Sequence, residues 1–261
     1  MTDGVLTNML IGPQISPADS ALAARLATLR AAISGAAASA GRTEESVTLI
    51  AVSKGHGPER LRAAYCLGVR HFGESYVQEA LAKRAALAAL PLTWHFIGRV
   101  QANKTRAIAH EFDWVHGLDR LHIAERLSAQ RPADLAALNV CIQLSIAAEP
   151  SKAGVAPAAL PALAAAIETL PRLRLRGLMC MLPAALGATE NHRLFAAARA
   201  CLDELNAGRR ADARAALDTL SMGMSEDFRE AIAEGATFVR IGTALFGPRQ
   251  RSASPGATGL G

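Results

Sequence analysis

The chain has 261 residues, 51% of them hydrophobic and 20% charged, which supplies a large core and argues against a disordered chain. The formal charge is +5, carried almost wholly by arginines spread singly, so the basic stripe with interleaved aromatics of a nucleic-acid surface is missing and no nucleic-acid partner is expected. Aromatics are only 4%, which leaves packing mostly to alanine and leucine.

The start, Met1 to Gln14, lacks a positive segment followed by an apolar run, and no apolar stretch reaches membrane-spanning length without charge or proline. Cys66, Cys141, Cys180 and Cys201 are widely separated with no CxxC pair, and read as buried small hydrophobes in a reducing compartment. The expectation is a soluble, cytoplasmic protein with no membrane association. The histidines show no HExxH or other ligand spacing, so no metal is expected.

Along the chain, residues 1–15 read as a loose arm. A helix is predicted from Ser16, with Pro17 in its first turn, Leu22, Leu26 and Leu29 at helical spacing, and Gly35 and Gly41 as breakers. Eight short apolar runs then follow: VTLIAVSK, VRHFGES, LTWHFIG, DWVHGLD, LNVCIQLSI, LRLRGLMCM, LDTLSMGMS and FVRIGTALFG. Each reads as a buried parallel strand, and seven amphipathic stretches separate them. An eightfold strand–helix alternation in one chain of this length predicts an α/β fold, a single (β/α)8 TIM barrel over residues 16–249 with an extra N-terminal helix. The small-residue tail 250–261 is expected to be disordered.

In such a barrel, chemistry sits at the C-terminal ends of the strands, and phosphate is often held after strands seven and eight. Lys54 closes the first strand and precedes a GHGP turn, where partial desolvation makes its free amine a usable nucleophile; position alone also admits a snorkelling surface lysine. It is one of only four lysines, with Lys83, Lys104 and Lys152. In LSMGMSEDF, Gly223 lets backbone approach an anion and Ser225 is placed to cap the next helix, while Glu226 and Asp227 oppose an anion unless they point outward. After the eighth strand, Gly242 and Thr243 offer another N–H and a hydroxyl. Arg240 lies on the same side of that strand as Gly242, either under a bound ring or paired with a core carboxylate. His95 is either a core residue or faces the barrel interior near a cofactor.

These segments carry a resemblance. IAVSK, HFGESYVQEA, WHFIGRVQANK, SKAG, LRGLMCM, LSMGMSEDFREAI and VRIGTALFG together resemble the pyridoxal phosphate homeostasis protein family, also called proline synthase co-transcribed proteins, whose barrel is similar to the N-terminal domain of alanine racemases. The resemblance implies pyridoxal 5′-phosphate (PLP) as cofactor, a Schiff base on Lys54, phosphate contacts from Ser221, Met222, Ser225, Gly242 and Thr243, and Arg240 near the pyridine ring. One departure is visible: Ser75 stands where the family usually has asparagine, and its shorter side chain cannot reach as far. Asn103, Lys104, Lys152 and Gly154 match the family in loops after strands.

Three functions follow from these residues. The first is a PLP-binding protein of intracellular PLP homeostasis, storing the cofactor or delivering it to PLP-dependent apoenzymes, with a monomer as the expected state. The second is a PLP-dependent amino-acid racemase, and the third a Schiff-base barrel enzyme acting on a phosphorylated sugar. A two-base racemase needs an acid/base group on each face of the substrate carbon. In alanine racemases a tyrosine of a C-terminal β-domain supplies the second; only Pro248 to Gly261 follow the eighth strand here, and Tyr65 and Tyr76 lack that context. The non-catalytic reading is therefore preferred. Lys152, after the fifth strand, is either a second acceptor amine during release or a loop cap.

Overall fold

The structure, a computed structural model, describes residues 17–146, 153–212 and 214–248. The expected arm 1–15, the tail 250–261 and Lys152 lie outside the described residues. Eight parallel strands close into a barrel in sequence order: β1 (Thr48–Val52), β2 (His71–Glu74), β3 (Thr93–Phe96), β4 (Trp114–Leu118), β5 (Leu138–Leu144), β6 (Leu173–Cys180), β7 (Thr219–Ser221) and β8 (Phe238–Ile241). Each falls within one of the eight apolar runs. Closure is made by β8 beside β1, in a register that sets Thr48 against Phe238 and Ile50 against Arg240.

The helices are α1 (Pro17–Ser39), α2 (Pro58–Cys66), α3 (Val77–Ala86), α4 (Thr105–Glu111), α5 (Leu121–Gln130), α6 (Leu160–Glu168), α7 (Ala188–Ala211), α8 (Phe228–Ala233) and α9 (Thr243–Phe246). Seven of them, α2 to α8, are the crossovers. The extra helix α1 buries Leu22, Leu26, Leu29, Ile33 and Ala37, one stripe at helical spacing, and packs against α2, α8 and α9. Gly35 does not break it, contrary to the sequence expectation. The buried face runs on through Ile33 and Ala37, and a helix-interior glycine costs only about 1 kcal/mol. Gly41, at φ +67°, follows the helix end.

The cysteine expectation is also corrected in part. Cys141 and Cys180 are fully buried, and burial pushes the Cys180 thiol up to about 12, but Cys66 is exposed at the end of α2. Among the described residues, no helix is long and apolar enough to cross a membrane.

Two environments make up the core. The larger lies between the strands and the helical ring. The smaller fills the barrel interior with Ile50, Trp114, Cys141, Met179 and Phe238. Strand alternation puts Ile50, Val52 and Lys54 on one face of the first strand, and Phe238, Arg240 and Gly242 on one face of the last. The interior therefore mixes this apolar cluster with buried polar side chains, and Lys54 and Arg240 stand toward its C-terminal mouth.

Candidate cofactor site

A cavity of about 240 Å³ opens at the C-terminal ends of the strands, and its wall includes Lys54, Ser225, Arg240, Gly242 and Thr243. Five of the seven site residues expected from the sequence thus meet in one place. The other two, Ser221 and Met222, are fully buried and do not line it. The Met222 N–H donates to Phe238 O (3.1 Å), and the Ser221 hydroxyl is engaged behind the wall.

The backbone on both sides of Lys54 is pinned. Ser53 N–H donates to Gly73 O and its hydroxyl donates to Glu74 Oε1 at 2.6 Å. The Lys83 ammonium, only 4% exposed, donates to Ser53 O (2.7 Å), Glu74 Oε1 (2.6 Å) and Glu79 Oε1 (2.7 Å). Gly55 N–H donates to Glu79 Oε1. Burial pushes the Glu74 carboxyl above its ordinary value despite Lys83 beside it. Burial acts the same way on Glu79, but the hydrogen bonds from Lys83 and Gly55 outweigh it and hold that carboxyl low. A loop residue carrying an amine is thereby given the fixed backbone of a strand end.

The turn after β7 departs from expectation. Ser225 is not the cap of α8: the helix begins at Phe228, and Asp227 stands at its N-cap. The Asp227 carboxylate, buried, turns back to accept the Met224 N–H at 2.6 Å. Of the two acidic residues, Glu226 is exposed while Asp227 points into the turn, where burial raises its carboxyl and the Arg240 charge pulls it down. Ser225 is left in the cavity wall. Gly223 sits at φ +91°, and a Cβ there would lie 2.7 Å from Ala231 Cβ, so both conformation and close packing require glycine. On the neighbouring turn, Gly242 precedes the short helix α9 and its carbonyl accepts the Leu245 and Phe246 N–H groups, while the Thr243 and Ala244 N–H groups stand ahead of the first helical bond.

Arg240 is 4% exposed and reaches the cavity from below. Its Nη1 donates to Ser221 Oγ (2.8 Å) and its Nη2 to Cys180 O (2.9 Å), so it is not hydrogen-bonded to a core carboxylate. Burial lowers the guanidinium, with Asp227 nearby acting in the opposite sense, and arginine still keeps its proton at neutral pH. Below it, Ser221 Oγ meets His116 Nδ1 at 2.8 Å, His116 Nε2 meets His95 Nδ1 at 2.9 Å, and His95 Nε2 meets His71 Nδ1 at 2.9 Å. His95 faces the barrel interior, three links from Arg240 along this series, and does not line the cavity. Burial drives His95 well below the ordinary imidazole range and His116 down to about 3, so both are neutral at pH 7.

Sequence reasoning missed His56, Met181 and Met224, which also line the cavity. His56 lies two residues past Lys54 in the GHGP turn, and the methionines close β6 and follow β7, so strand-end position alone was the available signal. Ser75 lies between this cavity and a second one of about 310 Å³, which Lys104 and Tyr76 line. Lys104 is therefore not brought to the Lys54 cavity.

The chain matches the alanine racemase N-terminal domain family over residues 22–250, and with its closed barrel and strand-end lysine it is a barrel of that class. Two curated relatives named pyridoxal phosphate homeostasis protein are similar over nearly their whole length. The one from Pseudomonas aeruginosa is 53% identical over 234 residues, covering 90% of this chain and 98% of the relative. The one from Escherichia coli is 49% identical over 247 residues, covering 88% and 98%. The solved structure of PipY from Synechococcus elongatus with PLP bound has a TM-score of 0.75 at 42% identity, covering 87% of this chain and 100% of that one. The chain belongs to the pyridoxal phosphate homeostasis protein family.

Proposed function

We propose that the protein binds PLP as a Schiff base on Lys54 and serves PLP homeostasis, holding the cofactor and passing it to PLP-dependent apoenzymes without turning over an amino acid. The observation that carries this reading is the convergence of a strand-end lysine, a buried arginine and two small-residue turns on one open cavity. The donor set fits the cofactor. An amine stands at one end, hydroxyl and N–H donors free of acidic side chains at another, and a cation beneath.

When bound, PLP supplies an electrophilic aldehyde carbon. Lys54 provides the amine that adds to it, oriented by the pinned Ser53–Gly55 backbone. Ser225, Gly242 and Thr243 hold the phosphate with hydroxyl and N–H donors. Arg240 donates to the pyridine nitrogen, and Ser221 and Met222 act from behind the wall, the first by fixing Arg240. As an arginine that keeps its proton, Arg240 would act on the cofactor ring only as a hydrogen-bond donor. The position of the tyrosines supports holding over racemisation: Tyr65 lies under Arg70, and Tyr76 is 65% exposed beside the second cavity.

Borohydride reduction of the PLP-loaded protein tests the assignment. It is expected to fix one adduct on the peptide containing Lys54, and Lys54→Ala to abolish it. An adduct of equal occupancy on the remaining lysines of that variant would overturn it.

A further inference from the structure

The polar groups beneath Arg240 form an unbroken series through the barrel. It starts at Arg240 near the mouth, passes Ser221, His116 and His95, and ends at His71, the first residue of β2. His71 is half-buried, whereas the three links between are fully buried. The surroundings are aromatic. Trp114 stacks on His95, and Phe238 stands edge-on to both rings.

The proton positions in this series follow from one fixed end. A guanidinium only donates, so Ser221 Oγ must accept from Arg240. The serine then directs its own hydrogen to His116 Nδ1, which makes Nε2 the protonated nitrogen of His116. That N–H donates to His95 Nδ1, and His95 Nε2–H donates to His71 Nδ1. Each ring is neutral, each buried nitrogen is satisfied, and all the bond dipoles turn their negative ends toward the cation. The reverse order would have Arg240 and His116 donate to the two lone pairs of Ser221 Oγ, deprive the hydroxyl hydrogen of His116 as its acceptor, and turn the positive ends of the N–H dipoles toward the guanidinium.

We infer that His71, His95 and His116 are positioning residues, a directional hydrogen-bond chain that holds the Ser221 hydroxyl as an acceptor and so fixes which donors of Arg240 face the cofactor. With Nη1 tied to Ser221 and Nη2 to Cys180 O, the guanidinium plane is set where Arg240 joins the cavity wall. The inference rests on the reading of Arg240 as the partner of the pyridine nitrogen. It adds that the orientation is imposed from within the barrel, through side chains of β2, β3, β4 and β7.

Two measurements test it. Nitrogen-15 spectra of the histidine-labelled full-length protein without added cofactor are expected to show His71, His95 and His116 all protonated on Nε2 at pH 7. Protonation of His116 or His95 on Nδ1 would overturn the chain. In the second, PLP binding is followed by visible absorbance in His95→Leu and His95→Gln. Leucine interrupts the series, and loss of one well-oriented bond from a charged donor corresponds to weakening by about tenfold, with a shifted absorption maximum. Glutamine, with one donor and one acceptor, is expected to restore both. Equal loss in the two variants, or no loss in either, would refute positioning. Should His95→Leu fail to fold, the nitrogen-15 result on the unaltered protein still decides the chain. If the unaltered protein bound no PLP, the functional reading would fail while the tautomer result stood or fell separately.

Discussion

Acidification between pH 6.0 and 5.0 should destabilise this protein by an amount that its buried imidazoles set. His95 and His116 are fully buried and neutral in the fold, with His116 at about 3 and His95 also driven far down. In the unfolded chain both take protons near 6.5. Their folded affinity for protons is the weaker, so the unfolded state binds more of them. Stability is therefore full above about pH 6.5 and is lost as pH falls toward the folded values. For His116 alone, integration between pH 6.0 and 5.0 gives about 1 kcal/mol, and His95, held low by the same burial, adds to it. Against a typical stability of about 5–15 kcal/mol this is a measurable share. His71, also lowered by burial, adds in the same direction. The buried carboxyls of Glu74 and Asp227 are raised and act in the opposite sense, which makes a comparison between variants necessary. Urea unfolding at closely spaced pH values supplies the assay. His95→Gln keeps a donor and an acceptor but does not titrate, and should lose less stability than the parent over that unit, by up to about 1 kcal/mol. Equal pH dependence in parent and variant would mean that His95 is not held neutral, and would refute the reasoning.

Lys83→Met should destabilise by about 3–5 kcal/mol in denaturant unfolding, because Glu74 and its already unpartnered Oε2 would be left in the core without a cation. A loss below 1 kcal/mol would mean that Glu74 is protonated or hydrated there. Ser225→Ala combined with Thr243→Ala should weaken PLP binding by about 3 kcal/mol or more while affecting unphosphorylated pyridoxal little; equal losses for both ligands would point away from the phosphate. Incubation of the loaded protein with alanine in deuterated water should give no sustained exchange at the α-carbon. Exchange that disappears in Lys54→Ala would restore the racemase reading.

The barrel was legible because its strands are buried on both faces, and each is a short β-branched run between helical stretches. Lys54, Arg240, Gly242 and Thr243 were legible from strand-end position and parity. The helix start was not: Ser225 and Asp227 are both good N-caps two positions apart, and only the folded turn sets α8 after Asp227, whose carboxylate meets Met224 N–H ahead of the helix. Gly35 was misread because local propensity is small against the apolar face that continues past it. The histidine series was the largest omission. Its members are 24, 21 and 105 residues apart, spacings with no local meaning, and only the closed barrel gathers β2, β3, β4 and β7 around one axis. Its place in the third strand did leave His95 open as an interior residue, but a single histidine carries no sign of its neighbours.

The burial of Lys83 has a consequence for chemical selectivity. An aldehyde carrier is threatened by its own surface, since any accessible amine competes for the cargo whereas a guanidinium at neutral pH does not. This chain has four lysines among 28 basic residues, and Lys83 is sealed beneath Lys54 with its ammonium held by Ser53, Glu74 and Glu79. With Lys54 as the proposed PLP lysine, Lys83 is kept from competing for the aldehyde, and the same contacts that hold its ammonium fix the backbone beside Lys54.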